Sequence, residues 1–324
     1  MGFMGVTHLG ALSKLPDVQV AAICSANPKV LAGDLSGIGG NLKREEVSFD
    51  LSSVRKHKAW EDMVADDELD AIDICLPTHL HRPVAIASLK AGKHVICEKP
   101  MSGTPDDCEA MLQASSDSGR QLMIAHVLRF WPEYRRLHEF VSSGEHGAVQ
   151  AATFIRRCGI PDWSRWLTNE GESGGAILDL LIHDIDQILM LFGIPDRIAA
   201  KSMGGPDSVT AAFIYGSKIE VRLQGGWFEP GVPFSMGFQV RADRALLELT
   251  PEGLMLSDAT GQRRKVEAGS EDPYAAELAY FVECCRSGTP PARCPPSDSA
   301  KAVEIALLLK QSREQEGAQL KCSV

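Results

Sequence analysis

The sequence predicts two domains of different class: an α/β domain with a parallel sheet, then an α+β domain with an open, mainly antiparallel sheet. In about the first 125 residues, short apolar runs rich in Val and Ile alternate with helix-like stretches. Strands that are apolar at every position are typical of a parallel sheet covered on both faces. After about residue 150, strand-like runs follow one another with few helices between them, which is typical of antiparallel pairing.

The first domain is predicted over 1–125 and the second over 126–324. Parallel strands are predicted at 18–23, 71–76, 93–97 and 121–127, with helices at about 7–14, 60–64, 82–91 and 104–118. The second domain is predicted to begin with a strand at 149–157 and a buried helix at 174–192. A meander at 198–203, 209–214, 219–224, 234–241 and 245–249 and two closing helices at about 273–287 and 297–315 complete it.

Charge and composition exclude several classes of function. The 324 residues include 33 Lys and Arg and 43 Asp and Glu, a net charge of −10 that disfavours a nucleic-acid partner. No apolar run reaches the ~18–20 residues that cross a bilayer, and no secretory signal is evident. The nine cysteines are odd in number and irregularly spaced, without a CxxC pair or a Cys/His ligand pattern. We expect a cytoplasmic protein with reduced thiols, no membrane partner and no structural metal.

The N-terminus carries part of a dinucleotide-binding pattern. Gly2-Phe3-Met4-Gly5 leads directly into an apolar helix, and its glycines have the spacing of the last two in GxGxxG. In that pattern the second glycine admits a pyrophosphate and the third allows close packing of helix on strand. The first glycine and its strand would precede Met1. We expect that strand upstream, and poor cofactor binding or folding without it.

The end of the second predicted strand bears on the choice of cofactor. An acidic residue about 20 positions after the glycines normally binds the ribose 2′-hydroxyl of NAD. No acid occurs between Val18 and Lys29, where Ser25 and Asn27 stand instead. These residues would tolerate a 2′-phosphate, so NADP is favoured over NAD.

A lysine follows the predicted strand at 93–97, in the turn Glu98-Lys99-Pro100. Ligands in open α/β sheets bind at the carboxyl ends of the strands, which is where this turn lies. Lys99 is therefore a candidate for proton transfer or for stabilising charge on a substrate.

Five motifs together resemble the Gfo/Idh/MocA oxidoreductases (glucose-fructose oxidoreductase, inositol dehydrogenase and rhizopine-catabolism proteins). They occur in the expected order and span essentially the whole chain. They are GFMG at 2–5, LPTHLH at 76–81, AGKHVICEKP at 91–100, HVLRFWPEY at 126–134 and GGAILDLLIHDID at 174–186.

The resemblance implies a role for each motif. Lys99, Asp179 and His183 resemble the family's three catalytic positions, and Pro100 the cis proline that commonly follows the lysine. It also implies homodimers or homotetramers. The residues that it and the glycine pattern assign to the cofactor are Gly2, Phe3, Met4, Gly5, Ser25, Asn27, Leu76, Pro77, Thr78, His81, Glu98, Lys99 and Arg129.

The residues around Asp179 and His183 agree with that assignment. The two are four positions apart, so in one helix they would share a face. Their neighbours are apolar, and a buried Asp and His are costly unless they are paired or functional. A hydrogen-bonded Asp–His pair in the core is the structural alternative.

Trp163 and Trp166 lie in a segment whose residues suit the binding of a sugar, although a contact between subunits or an ordinary surface loop would also explain them.

The function predicted is hydride transfer between NAD(P) and a secondary alcohol of a sugar or polyol. His183 is predicted as the base, Lys99 as the hydrogen-bond donor to the reacting oxygen, and Asp179 as an orienting group, so that Asp179 and His183 also bind substrate. Three alternatives remain open. They are a non-enzymatic cofactor-bound sensor, a reductase of non-sugar substrates such as dihydrodiols, and an enzyme that uses its cofactor only transiently.

Overall fold

The computed structural model describes residues 1–35, 37–40, 49–161, 165–216 and 219–323. The chain folds into two units, Met1–Val127 with Asp272–Ala300, and Leu128–Glu271 with Lys301–Val324. The sequence-based division at residue 125 had placed residues 272–300 in the second domain. Among the described residues, no helix combines the length and apolar character that crossing a membrane requires.

The described elements alternate between helix and strand up to residue 125. They are α1 (Phe3–Leu12), β1 (Ala22–Cys24), α2 (Pro28–Leu31), β2 (Arg55–His57), α3 (Trp60–Val64), β3 (Ala71–Ile74), α4 (His81–Lys90), β4 (His94–Glu98), α5 (Pro105–Ser118) and β5 (Leu122–Ala125). A short 3-10 turn, Thr78–Leu80, precedes α4. The predicted helix at 60–64 is confirmed as α3, and the other elements predicted before residue 125 are found with shifted ends.

The later elements are mostly strands. They are α6 (Pro132–Ser142), β6 (Val149–Gly159), α7 (Arg165–Thr168), α8 (Glu170–Ser173), α9 (Gly175–Asp179), α10 (Ile182–Phe192), β7 (Arg197–Ser202), β8 (Asp207–Ile214), β9 (Glu220–Phe228), β10 (Ser235–Ala242), β11 (Ala245–Thr250), β12 (Gly253–Asp258), β13 (Arg263–Lys265), α11 (Pro273–Ser287), α12 (Pro296–Glu314) and β14 (Leu320–Lys321).

The strands of the first unit are parallel and lie in two sheets, β1-β2 and β3-β4-β5. Every residue of β5 is buried, as expected for a strand covered on both faces. The break between the two sheets falls where a doubly wound sheet has its first strand. The Rossmann-type architecture is confirmed. Strands β1, β3, β4 and β5 end at residues 24, 74, 98 and 125, and the segments that follow them lie at the carboxyl ends of the sheets.

Local sequence explains where the helices of the first unit begin and end. Thr104 caps α5, its hydroxyl accepting from the Asp107 N–H, and Pro105 occupies the first helical position. Gly119 ends α5 in the left-handed conformation, with a φ of 64°. Asp272 caps α11 in the same way by accepting from two backbone N–H groups.

The second unit is built on one nine-stranded sheet in the order β13-β12-β11-β10-β6-β9-β8-β7-β14. All neighbouring pairs are antiparallel except β6 and β9, which are parallel. The predicted α+β class is therefore confirmed. The prediction of an uninterrupted antiparallel meander is wrong, because β6 lies between β9 and β10 in the sheet. Four strands lie outside the sequence prediction: β2, β12, β13 and β14.

The predicted single helix at 174–192 is wrong, because two helices occupy that segment. The backbone N–H groups of Leu180 and Leu181 both bond to the Ala176 carbonyl, so the second of these bonds spans five residues. A new α-helical ladder then begins with the bond from the Ile185 N–H to the Leu181 carbonyl. Asp179 therefore ends α9, while His183 lies in the first turn of α10, and the shared helical face does not exist.

Candidate functional site

A buried histidine joins the two loops predicted to carry the cofactor and the chemistry. His81, which is 1% exposed, places Nε2 2.8 Å from the Leu76 carbonyl and Nδ1 2.8 Å from the Pro100 carbonyl. Burial lowers the pKa of His81, against the opposing effect of these two carbonyls. The ring thus ties the loop after β3 to the turn after β4.

The Glu98-Lys99-Pro100 turn is held close to its strand. The Glu98 carboxylate accepts a hydrogen bond of 3.0 Å from the Lys99 backbone N–H, and Glu98 itself is 7% exposed. The Lys99–Pro100 peptide is cis, which confirms what the resemblance implied. Lys99 is half-buried, so its side chain is the accessible polar group of the turn.

The first unit has features that fit a bound dinucleotide. Thr78 is buried, and its hydroxyl has no hydrogen-bond partner among the described residues, as expected of a group that binds a ligand. Open space surrounds the place where a Cβ on Gly2 would stand, directly before the N-terminus of α1. A Cβ on Gly5 would meet Met1 at 2.5 Å and Cys75 at 3.5 Å, consistent with close packing of helix on strand. An anion at this ten-residue helix would meet a favourable dipole.

Of the other predicted cofactor residues, Phe3 and Met4 form the half-buried first turn of α1, and Leu76 and Pro77 the half-buried loop after β3. Ser25 and Asn27 follow β1 but already have local partners. The Ser25 hydroxyl accepts from the N-terminal ammonium at 3.0 Å, and Asn27 caps α2 by accepting from the Lys29 N–H. Lys29 itself is exposed.

In the second unit, Asp179 and His183 differ from their neighbours in exposure. Residues 175–178, 180–182 and 184–188 are all buried, whereas these two side chains are only half-buried. They occupy opposite ends of the turn between α9 and α10. The two polar side chains that the sequence singled out are thus the ones that the segment leaves accessible.

Arg129 lies in a buried ion pair. Its guanidinium donates two hydrogen bonds to Asp186, of 2.6 and 3.0 Å, and the two side chains are 3% and 1% exposed. A second ion pair of the same kind joins Arg156 on β6 to Asp184 on α10, again with two hydrogen bonds. These contacts give Arg129 a structural partner, while its predicted contact with the cofactor stays a prediction.

The predicted substrate loop is described only in part. Trp163 lies outside the described residues, and Trp166 is half-buried in the short helix α7. A cavity of about 370 Å³ in the same unit is lined by the neighbouring Thr168 together with Trp227, Asp207 and Arg313, among others. Asp179 and His183 do not line it, so this cavity and the predicted catalytic positions are separate features.

Sequence reasoning missed a polar cluster beside Glu98. It consists of Glu98 itself with His8, Glu277 and the near neighbours Asp73 and Cys75, which come from four separate stretches of the sequence and interact in the first unit. Burial alone would lower the pKa of His8, but Asp73 and Cys75 raise it well above its usual range. Burial, together with the charge of Asp73, raises the pKa of Cys75 to about 12. The only sequence signal was a histidine in an apolar helix, which is too weak to identify a cluster.

Replacing His81 with alanine is expected to destabilise the first unit and to lower kcat. At least one carbonyl, of Leu76 or Pro100, would lose its buried donor, which costs about 1–3 kcal/mol. Urea unfolding measures the free energy lost, and steady-state kinetics the turnover of the remaining folded enzyme. His79→Ala is the control, because His79 is exposed in the same loop. Equal behaviour of the two variants would contradict the bridging role.

Comparison with known families shows which family the chain belongs to. A model described as the oxidoreductase family with an NAD-binding Rossmann fold matches residues 1–126, and the GFO/IDH/MocA C-terminal domain matches residues 134–247. The chain belongs to the GFO/IDH/MocA oxidoreductase family. The family predicted from five sequence motifs is thereby confirmed, and with it an oxidoreductase that uses NAD or NADP.

Individual proteins of known name are similar to most or part of the chain. D-xylose 1-dehydrogenase (NADP(+)) 2 of Haloferax volcanii is 26% identical over 90% of both chains. The scyllo-inositol 2-dehydrogenase (NADP(+)) of Bacillus subtilis is 28% identical over 58% of this chain and 54% of its own. Levoglucosan dehydrogenase in complex with NADH and levoglucosan has the same fold, with a TM-score of 0.84 over 100% of this chain and 97% of that one, at 20% identity.

Proposed function

We propose that this protein transfers a hydride between NADP and a secondary alcohol of a sugar or polyol. The observation that carries the proposal is the Lys99 turn, which His81 and Glu98 fix beside the loop carrying the unpartnered Thr78 hydroxyl. An accessible lysine is thereby held next to features that fit a dinucleotide. The named activities of the xylose, inositol and levoglucosan relatives support the substrate class.

We assign one task to each candidate side chain. His183 removes the proton from the reacting hydroxyl when the alcohol is oxidised, because an imidazole titrates near neutral pH. The Lys99 ammonium donates a hydrogen bond to the same oxygen and stabilises the alkoxide character that develops there. Asp179 orients the substrate or the imidazole. The nicotinamide, when bound, supplies the redox chemistry by accepting or returning the hydride.

The remaining residues position the cofactor in this proposal. Gly2 and the first turn of α1 receive the pyrophosphate, and Thr78 binds near the nicotinamide ribose. Glu98 holds the Lys99 turn and contacts the cofactor, and Trp166 lies along the sugar. Arg129 supports this end of the cofactor through its pair with Asp186.

We favour NADP over NAD because the exposed Lys29 follows β1 where no carboxylate is present. Lys29→Glu is expected to lower kcat/KM for NADP by about 10–100-fold, since a hydrogen bond to a charged group contributes about 1.5–3 kcal/mol. The value for NAD should change much less. Steady-state kinetics with both cofactors measures the two ratios.

Lys90→Glu is the matched control for that variant, because Lys90 is an exposed lysine at the end of α4 in the same unit. It should leave the ratio of the two cofactors as in the wild-type protein. A wild-type enzyme that strongly prefers NAD would contradict the assignment of NADP.

A panel of polyols and aldoses with NADP and NAD, followed at the nicotinamide absorbance, tests the proposed activity. Net reduction of cofactor with at least one panel member is the expected result. Tight cofactor binding without turnover of any substrate would favour the sensor, and product formation without net cofactor change would favour transient use. Turnover confined to substrates such as dihydrodiols would overturn the sugar or polyol assignment.

The homodimer or homotetramer that the family resemblance implies stays a prediction. Light scattering on the purified protein measures the mass directly against the 35.1 kDa of one chain. A mass of a single chain would contradict it.

A further inference from the structure

Three side chains of the first unit bring a nitrogen, an oxygen and a sulfur to one point. His8 Nδ1 lies 3.0 Å from one carboxylate oxygen of Asp73 and 3.1 Å from the other. Cys75 Sγ lies 3.5 Å from His8 Nδ1 and 3.4 Å from Asp73 Oδ1. Among the described residues, these three form the one group of His, Cys, Asp and Glu that is compact enough to hold a metal ion.

The spacing of this triangle resembles one face of a tetrahedral zinc site. Bond lengths of ~2.0 Å from zinc to nitrogen or oxygen and ~2.3 Å to sulfur imply separations of about 3.3 Å between nitrogen and oxygen and about 3.5 Å from either to sulfur. The N–S and O–S sides of the triangle lie at that spacing, and the N–O side is shorter. One ion on the open face of the triangle would need only a small outward movement of Asp73.

The surroundings of His8 are those of a metal-binding imidazole. Its other nitrogen, Nε2, lies 3.1 Å from Glu98 Oε1 without forming a hydrogen bond among the described residues, so a carboxylate stands within ion-pair distance behind the ring. Histidines that bind zinc usually have such a carboxylate on the nitrogen opposite the metal, which orients the ring and raises its basicity.

A second, independent observation is a buried, unsatisfied carboxyl group beside the cluster. Glu277 on α11 is 0% exposed, and both of its carboxylate oxygens lack a hydrogen-bond partner among the described residues. It interacts electrostatically with His8, Glu98 and Asp73. Three carboxyl groups and a thiol therefore lie around one imidazole, and the buried Glu277 oxygens stay unsatisfied among the described residues, as expected beside a ligand site.

We propose that His8 Nδ1, the Asp73 carboxylate and the Cys75 thiolate bind one zinc ion, or another borderline divalent cation. Mixed nitrogen, sulfur and oxygen donors suit zinc and cobalt, whereas magnesium and calcium require oxygen ligands. Asp73 has a side-chain exposure of 23% and Cys75 is half-buried, so the fourth position is open towards solvent. Metal binding at this site does not require the proposed dehydrogenase activity.

A metal ion bound at this site would also affect the Glu98-Lys99-Pro100 turn. The ion would fix the His8 ring, Glu98 stands behind that ring, and the second Glu98 oxygen accepts the Lys99 N–H. Cys75 immediately precedes the Leu76–Thr78 loop. A metal at this place would therefore act on the orientation of both loops rather than take part in hydride transfer.

Titrating the chelator-treated full chain with Co²⁺ tests the proposal without relying on activity. The expected result is one tight site per chain with a near-ultraviolet sulfur-to-cobalt charge-transfer band and visible bands of tetrahedral intensity. Zn²⁺ should displace the cobalt and abolish both signals. Absence of the charge-transfer band, or a band that zinc does not remove, would overturn the assignment.

Matched variants locate the site. Cys75→Ser should remove the charge-transfer band, whereas Cys285→Ser, another half-buried cysteine of the first unit, should retain it. Asp73→Asn should weaken cobalt binding at least tenfold, and Glu98→Gln by about 10–100-fold through the loss of the carboxylate behind His8. Circular dichroism establishes that each variant is folded. A band that survives both Cys75→Ser and Asp73→Asn would place the metal elsewhere.

Discussion

Replacing Lys99 with alanine is expected to lower kcat by about 10²-fold or more, the size of effect that follows loss of an acid–base or charge-stabilising group. Binding of the cofactor should weaken much less, because Gly2, Thr78 and the first turn of α1 remain. The backbone N–H that Glu98 binds is unaffected by the change, so the turn itself should persist. Steady-state kinetics at saturating cofactor, with the best substrate of the panel, measures the loss.

The control for Lys99→Ala is Lys90→Ala, which removes an exposed lysine of the same unit and should leave kcat unchanged. His183→Ala provides an independent measurement from the second unit and should cost a similar factor. Turnover close to that of the wild-type protein in both Lys99→Ala and His183→Ala would remove the proposed mechanism.

Replacing Asp184 with alanine is expected to lower the free energy of unfolding by about 3–5 kcal/mol, because it leaves a buried charge without its partner. Arg156 is 3% exposed at its side chain and donates two hydrogen bonds to Asp184 from the middle of β6. Without the Asp184 carboxylate, the Arg156 guanidinium would lie buried between the sheet and α10 and would lack the opposite charge that Asp184 supplies. Urea-induced unfolding followed by circular dichroism measures the change.

Glu139→Ala is the comparison for that variant. Glu139 pairs with Arg136 at 2.7 Å on the surface of α6, with side chains 58% and 45% exposed. An exposed pair of this kind contributes at most about 1 kcal/mol. Similar destabilisation by the two substitutions would show that the Arg156–Asp184 pair does not hold α10 on the sheet.

Much of the fold could be predicted because local patterns and tertiary packing agree. The helix at 60–64 and the closing helix at 273–287 were predicted with their observed ends, and in the structure Asp272 caps the latter with Pro273 in its first turn. The insertion of β6 beside β9 could not be predicted, since strand order depends on pairing between distant residues. The break between α9 and α10 was equally hidden, because its flanking residues are apolar and compatible with a continuous helix.

The candidate site was predictable only where it follows consecutive motifs. Lys99, Thr78 and His81 stand in recognisable segments, and the structure places them around one pair of loops. Arg129 and Asp186 are 57 positions apart, and His8 and Asp73 are 65 apart, so spacing along the chain gives no sign of either pair. Their contacts depend on which helix lies over which strand.

The return of residues 272–300 to the first unit bears on how the protein is made. Asp272 binds Lys14 at 2.6 Å, and the Tyr274 ring lies 6.4 Å from the His8 ring, so α11 supplies part of the environment of α1. During synthesis, the N-terminal 127 residues leave the ribosome well before that helix does. The Rossmann unit therefore completes its packing only near the end of translation, after the whole nine-stranded sheet except β14 has been synthesised.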